Sequence, residues 1–83
     1  MDPKKLHDRV QAIFRNVFDD PKLIIKDETA AKHIRDWDSL AQINLVAGAE
    51  EAFKVRFQTA EIRSLKNVGE FKQLISRKLS KAK

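Results

Sequence analysis

The sequence predicts an all-α protein, a four-helix bundle with a long first loop and a short third helix. Three observations point to this fold class: apolar residues recur at helical spacing, glycine and proline occur only twice each, and alternation of β-branched residues is scarce. A chain of 83 residues builds one domain with one modest core. We therefore expect a single domain over residues 1–83, with helices at about 3–18, 39–52, 60–65 and 68–80.

The first helix is predicted from a capping residue, a stripe of apolar residues at helical spacing and a proline that ends the helix. Asp2 is placed to cap it and Pro3 takes the favoured first helical position. Pro21 ends it, because proline disfavours helical geometry at the residue before it and lacks an amide donor. The apolar stripe between these signals consists of Leu6, Val10, Ile13, Phe14, Val17 and Phe18.

A long connection over residues 19–37 precedes the second helix. The triplet Leu23-Ile24-Ile25, together with Ile34, suggests that this loop is pinned to the core. Asp38 is a capping residue before an apolar-rich stretch that predicts a helix from Ser39 to about residue 52. Gly48 within it costs roughly 1 kcal/mol relative to alanine.

Two further helices follow an extended linker at residues 54–58. Thr59 is expected to cap a short third helix that runs through Leu65. Asn67 and Glu70 have the spacing of a capping box at the start of the last helix. The stripe of that helix is Phe71, Leu74, Ile75 and Leu79.

Enzyme and metal signatures are nearly absent. With no cysteine, the chain has no disulfide, thiolate ligand or thiol nucleophile. His7 and His33 lack metal-ligand spacing and are interpreted as solvated surface histidines. Ser39, His33 and Asp36 or Asp38 supply the residue types of a hydrolytic triad, but the glycine-rich elbow and oxyanion loop are missing. No run is long and apolar enough to span a membrane or form a signal peptide, so we expect a cytoplasmic protein.

Charge is unevenly distributed along this basic chain, whose formal net charge is +5. Residues 36–53 hold four acids and no Lys or Arg, whereas residues 54–83 hold nine basic groups against two acids, a balance of +7. The basic end favours either a solvated helix face or a nucleic-acid-binding surface. Since aromatic residues are not interleaved with these basic groups, the solvated face is the preferred interpretation.

The start of the second helix is the strongest candidate site. It places Ser39 at a helix N-terminus, where amide N–H groups and the positive end of the helix dipole favour a bound phosphate group. An ordinary capped helix start is the simpler interpretation of the same residues. Beyond it, Leu40, Ile43 and Ala47 form a second apolar face, which is either a docking surface or part of the core.

These residues resemble the acyl carrier protein family. The matching pattern is Trp37-Asp38-Ser39-Leu40, Ile43, Leu45-Val46, Glu50-Glu51, Phe53, Val55, Phe57, Glu61-Ile62, Leu65, Val68, Phe71 and Leu74-Ile75. The resemblance implies a right-handed four-helix bundle in which Ser39 receives 4′-phosphopantetheine from coenzyme A. A magnesium-dependent phosphopantetheinyl transferase catalyses that step, and the carrier itself performs no chemistry.

The resemblance also implies partners and a partner-facing surface. Asp38 is expected to cap the helix and contact the transferase, and acyl-transferring or acyl-activating enzymes are the other partners. The surface that would meet them is Leu40, Ile43, Ala47, Glu50 and Glu51. We expect a monomer that binds no nucleic acid, in which the acyl chain can fold back into a small apolar cavity.

Several positions depart from the family pattern. The chain is basic, and Ala41, Gln42 and Asn44 lack the carboxylates often found there, which argues against docking to the usual enzymes of fatty acid synthesis. Trp37 stands where a small residue is common in housekeeping carriers, which favours a specialised pathway. Gly48 and Ala49 are small, and we expect them to alter the acyl cavity or loosen the helix. The cargo stays open among a fatty acid, a polyketide unit and an amino acid. The alternatives to a carrier are an unmodified carrier-like interaction module and a small basic nucleic-acid-binding protein.

Overall fold

The computed structural model describes residues 2–34 and 37–81, and four α-helices lie within them. The helices are α1 (Pro3–Val17), α2 (Ser39–Phe53), α3 (Thr59–Arg63) and α4 (Val68–Lys81). The predicted fold class is confirmed, with its long first loop and short third helix. None of the helices in this described part is long and apolar enough to cross a bilayer.

Helix α1 begins as predicted and ends one residue early. The Asp2 carboxylate accepts a hydrogen bond from the Lys4 amide at 3.0 Å. Phe18, predicted to be helical, is the C-terminal cap, because Asp19 adopts a left-handed conformation with φ of 51°. The Asp20 amide then donates back to the Arg15 carbonyl at 2.9 Å, which closes the helix end before proline is reached.

The core lies where α1 packs against α2 and α4. Phe14 is fully buried near its centre, with ring centroids 5.3 Å from Trp37 and 6.3 Å from Phe71. The buried residues of this core are Leu6, Val10, Phe14, Ile25, Leu45, Ala49, Phe53, Val55, Val68, Phe71 and Ile75. The helical stripes predicted from the sequence therefore meet in one cluster.

The first loop is anchored to α1, although not by every predicted residue. Ile25 is buried, and its amide donates to Gln11 Oε1 at 2.9 Å. Arg15 Nε donates to the Leu23 carbonyl at 2.7 Å. The expectation that Ile24 is pinned is wrong, since its side chain is 69% exposed. Successive side chains of an extended segment point in opposite directions, so burying Ile25 turns Ile24 outward.

The same loop also covers the start of α4. The Val68 and Gly69 amides donate to the carbonyls of Thr29 and Asp27 at 2.8 and 2.9 Å. A Cβ atom on Gly69 would lie 3.1 Å from that Asp27 oxygen, so glycine permits the close approach. Lys72 forms an ion pair with the Asp27 carboxylate, and the hydrogen bond from its ammonium group holds the pKa of Asp27 below the ordinary value.

The predicted cap of α3 is wrong by one residue. Gln58 is the N-cap and Thr59 is already helical, because the Glu61 carboxylate accepts a hydrogen bond from the Gln58 amide at 2.8 Å. The helix ends at Arg63 instead of Leu65. Glu61 also forms an ion pair with Lys78 at 2.9 Å, and the hydrogen bond from Lys78 lowers the pKa of Glu61.

Half of the capping box predicted for α4 forms. Asn67 Oδ1 accepts a hydrogen bond from the Glu70 amide at 2.9 Å, as expected. The prediction that the Glu70 side chain accepts from the Asn67 amide is wrong, because Glu70 Oε1 accepts from the Lys66 amide at 3.1 Å. The backbone of Asn67 is instead paired with Ala30 in an isolated antiparallel bridge.

Small residues in α2 let α1 approach closely. A Cβ atom on Gly48 would lie 3.0 Å from Ile13 Cγ2, and Ala49 is fully buried in the core. At the same end of the pair, Arg9 Nη2 donates to the Ala52 carbonyl at 2.7 Å. These contacts tie α2 to α1, and the expectation that the small residues loosen or reshape this region stays a prediction.

Candidate functional site

The first turn of α2 combines a formed cap with an exposed serine. Asp38 has extended backbone angles, and its carboxylate accepts a hydrogen bond from the Ala41 amide at 2.9 Å. Its carbonyl accepts from the Gln42 amide at the same distance, which is the first hydrogen bond of the helix. Ser39 is the first helical residue and is exposed.

The first turn of α2 also presents backbone amides beside the serine. Within residues 2–34 and 37–81, the N–H groups of Ser39 and Leu40 have no hydrogen-bond acceptor. Unpaired amides at the start of a helix carry the positive end of the helix dipole, equivalent to roughly half an elementary charge. The turn can therefore hold an anionic group next to the Ser39 hydroxyl.

An apolar face of α2 next to this turn is exposed. Leu40 is 67% exposed and Ile43 is 62% exposed, and Ala47 follows on the same face. The opposite face buries Leu45, Val46, Ala49 and Phe53. Of the two interpretations left open by the sequence, the structure therefore favours an accessible surface over a second core face.

The carboxylates predicted for the partner-facing surface are only partly accessible. Glu51 is exposed, whereas Glu50 is half-buried and its Oε2 accepts a hydrogen bond from the Phe57 amide at 2.9 Å. The carboxylate of Asp38 is similarly engaged by its helix cap. Asp36, which the sequence also placed among the acids, lies outside the described residues.

Basic residues join the acids at the far end of this face, which the sequence pattern does not predict. One surface cleft is lined by Ala47, Glu50, Glu51, Lys54, Val55 and Arg56. Lys54 reaches this position because it ends α2 in a left-handed conformation with φ of 57°. The end of the helix farthest from Ser39 thus presents both signs of charge.

Trp37 and Gln42 are a second feature that sequence reasoning missed. The indole Nε1–H donates to Gln42 Oε1 at 2.7 Å, and both side chains are half-buried. The two residues lie on either side of the Asp38-Ser39 turn. A tryptophan before a helix cap, with an amide five residues later, was the only available signal.

The groups considered for catalysis or metal binding have other roles here. His33 Nδ1 accepts a hydrogen bond from the Ala30 amide at 3.0 Å. His7 is not simply solvated as predicted: it is half-buried, with its Nδ1 2.9 Å from Lys72 Nζ. No hydrogen bond joins Ser39, His33 and Asp38 in the part of the chain that the structure describes, and no group of three metal-ligating side chains is found there.

The interior next to the site is filled by side chains. Phe14, Leu45, Ala49 and Ile75 are at most 1% exposed. The clefts on either side of α2 are open to solvent and include charged residues such as Glu51 and Lys54. The acyl-chain cavity implied by the resemblance stays a prediction, and it requires core side chains to move.

Comparison with known proteins gives one informative match. No protein-family model matches this sequence, and no curated protein matches it significantly. The chain is similar to the solution NMR structure of a holo acyl carrier protein from Geobacter metallireducens, with 39% sequence identity and a TM-score of 0.87. The match covers 93% of this chain and 88% of that one.

Proposed function

Because the chain belongs to the acyl carrier protein family, we propose that it carries acyl groups as thioesters on a 4′-phosphopantetheine arm attached to Ser39. The observation that carries this proposal is an exposed serine at the first position of α2, beside the Ser39 and Leu40 amides, which have no acceptor among residues 2–34 and 37–81. A member of this family is a carrier and not an enzyme, so the chemistry belongs to its partners.

The residues of the first turn fit the chemistry of that arm. Its phosphodiester is an anion, and the helix N-terminus favours an anion next to the Ser39 oxygen. The carboxylate of Asp38, the residue before Ser39, is held by the Ala41 amide. The arm supplies a thiol, and since the chain has no cysteine, no protein thiol competes for the acyl group.

Attachment is a phosphoryl transfer catalysed by a phosphopantetheinyl transferase with magnesium. The Ser39 oxygen forms a bond to the phosphorus of the pantetheine phosphate, and the pyrophosphate bond of coenzyme A breaks. The adenosine bisphosphate half leaves, and the serine proton passes to the transferase. The role of this chain is to present the hydroxyl on a rigid, capped turn, with Asp38 as the cap and a transferase contact.

The exposed face of α2 is the proposed surface for partners. Leu40 and Ile43 supply apolar contact area beside Ser39, and Ala47 leaves room for a partner side chain. Glu51 adds an accessible charge at the far end, whereas Glu50 contributes less because Phe57 engages its carboxylate. Acyl-transferring and acyl-activating enzymes would dock here after the transferase has acted.

The charge of the chain favours a specialised pathway over fatty acid synthesis. Ala41, Gln42 and Asn44 leave the first turns of α2 without a carboxylate beyond Asp38, in a chain of formal net charge +5. We propose a monomeric, cytoplasmic carrier that acts as a single domain, with a fatty acid, a polyketide unit or an amino acid as cargo. If a malonyl transferase of fatty acid synthesis acylates the holo protein as fast as it acylates its own carrier, the specialised role is wrong.

Intact mass measures the proposed attachment. We expect incubation with coenzyme A, magnesium and a promiscuous transferase to add one phosphopantetheinyl group to the wild-type protein. Ser39→Ala should gain nothing, and Ser76→Ala, which removes another exposed serine, should gain the same mass as the wild type. A folded wild-type protein that gains no mass would instead support an unmodified interaction module.

A further inference from the structure

Trp37, the one tryptophan of the chain, bridges α1 and the first turn of α2. Its ring centroid lies 5.3 Å from that of Phe14, in an edge-on arrangement, and 6.4 Å from that of Phe18. Its indole N–H donates to Gln42 Oε1 at 2.7 Å. Its backbone N–H donates to the Ile34 carbonyl at 3.1 Å. The residue two positions before the exposed serine is therefore fixed by its ring, its indole nitrogen and its backbone.

The bond between Trp37 and Gln42 closes the turn that carries Ser39. Asp38 already caps the helix, so helix formation does not need a second side-chain bond at this place. The added bond connects the residue before the cap with Gln42, the fourth residue of the helix, and so spans Ser39. It links the orientation of the turn to α1, through the aromatic ring, in a way that the cap alone does not.

Such a link favours the reaction of Ser39 in the transferase, because it holds the serine oxygen in one orientation toward the phosphorus atom. Group transfer is fast when the reacting oxygen is held in one geometry, and misplacement by about 1 Å can cost roughly a hundredfold in rate. A single hydrogen bond between half-buried neutral groups adds little net stability, but it selects one orientation of the two side chains. The bond is thus better suited to orient the turn than to stabilise the fold.

We propose that Trp37 and Gln42 are positioning residues for the modification of Ser39. The indole N–H···Oε1 bond holds the turn in the conformation that the transferase accepts. This inference rests on the proposed attachment at Ser39. In this proposal, neither the Trp37 nor the Gln42 side chain contacts the reacting atoms.

The test is a set of variants compared in loading kinetics and in unfolding by urea. Trp37→Phe keeps a ring and removes the donor, Gln42→Leu removes the acceptor, and Gln42→Glu keeps an acceptor. Gln73→Leu, at an exposed position of α4, is the matched control. We expect Trp37→Phe and Gln42→Leu each to lower kcat/KM for loading by about two- to tenfold. This is the range expected for the loss of one hydrogen bond.

Coupling between the two positions distinguishes positioning from general damage. The double variant Trp37→Phe with Gln42→Leu should load no more slowly than the slower single variant, because both changes remove the same bond. Gln42→Glu should retain loading close to wild type, and Gln73→Leu should equal it. Additive losses, or equal losses in Gln42→Glu and Gln42→Leu, would overturn the proposal.

A readout without the transferase completes the test. Since Trp37 is the one tryptophan, its fluorescence anisotropy reports the motion of this ring alone. We expect the anisotropy to fall in Gln42→Leu and to stay unchanged in Gln73→Leu. If Trp37→Phe does not fold, the Gln42 variants still decide the question.

The failure of this proposal differs from the failure of the proposed function. A wild-type protein that is not loaded contradicts the proposed function, and the positioning role falls with it. A wild-type protein that is loaded, with Gln42→Leu loaded at the same rate, overturns the positioning role alone.

Discussion

The first turns of α2 and α4 have the same cap chemistry and opposite surroundings. Asp38 and Asn67 each accept a hydrogen bond from the amide three residues later, at 2.9 Å in both cases. In α4 the two preceding amides, those of Val68 and Gly69, donate to carbonyls of the first loop. In α2 the corresponding amides have no acceptor among the described residues.

The difference shows that a helix N-terminus can receive a ligand only where the chain itself does not fill it. The first loop fills the start of α4 with the carbonyls of Thr29 and Asp27, so that end stabilises the fold. Among the described residues, nothing fills the first two amides of α2, which lie beside the exposed Ser39 and a neighbouring apolar face. The same local chemistry thus serves structure in one helix and is available for a ligand in the other.

The largest expected effect comes from truncating one apolar residue in each of the two turns. Val68→Ala should lower the free energy of unfolding by about 2 kcal/mol, because the side chain is fully buried and leaves a cavity. Leu40→Ala should change it by less than about 0.5 kcal/mol, because Leu40 is 67% exposed. Urea unfolding followed by circular dichroism measures both, and equal losses would contradict the contrast between the turns.

Removing the two caps should separate stability from function. Asp38→Ala and Asn67→Ala should each cost about 1 kcal/mol, since each leaves one amide of the first turn without its acceptor. Only Asp38→Ala should also slow loading by the transferase, because only that cap orients Ser39. Loading rates measured at a temperature where both variants are folded would check this, and equal slowing in both variants would count against the site.

Acid should weaken the contact between the first loop and α4, because that contact includes the Asp27 carboxylate. The hydrogen bond from Lys72 and the charges of Lys72 and His7 hold the pKa of the Asp27 carboxyl below its ordinary value of 3.8. Because the folded pKa is lower than the unfolded one, the pair contributes stability above pH 3.8, and this contribution is lost as the pH falls through the folded pKa.

The check is the pH dependence of the unfolding midpoint in urea. Asp27→Asn should lose less stability than the wild type on acidification below pH 3.8. Glu28→Gln, a change at an exposed neighbour outside the described ion pairs, should follow the wild-type curve. Identical curves for all three proteins would show that the ion pair does not hold the loop on α4.

A small change in stability is also expected at Ile43, on the exposed face of α2. Ile43→Gln should alter the free energy of unfolding by less than about 0.5 kcal/mol, because the side chain is 62% exposed. It should nevertheless raise KM for the transferase by about fivefold, the effect of losing roughly 1 kcal/mol of apolar contact. An unchanged KM would remove Ile43 from the proposed docking surface.

The sequence predicts features whose cause is local. Asp2 and Asp38 cap their helices because the capping bond needs only residues two or three positions apart. The stripes of α1 and α4 follow from helical spacing, and Ser39 stands out because it follows a cap.

Features that depend on tertiary contacts could not be predicted in this way. The contacts between Glu50 and Phe57, and between His7 and Lys72, join residues that no periodic pattern relates. The exposure of Ile24 depends on the burial of its neighbour Ile25 in the core. Gln58 is the cap because its amide donates to Glu61. The sequence favours Thr59 instead, because threonine is the better capping residue.

The position of the added group shows directly whether Ser39 is the attachment site. Cleavage after Lys and Arg releases a peptide of residues 36–54, in which Ser39 is the only serine and no threonine occurs. Tandem mass spectrometry of the loaded protein should find the phosphopantetheinyl mass on that peptide, at Ser39. The same mass on a peptide that contains Ser64, Ser76 or Ser80, with residues 36–54 unmodified, would contradict the assignment of the first turn of α2 as the carrier site.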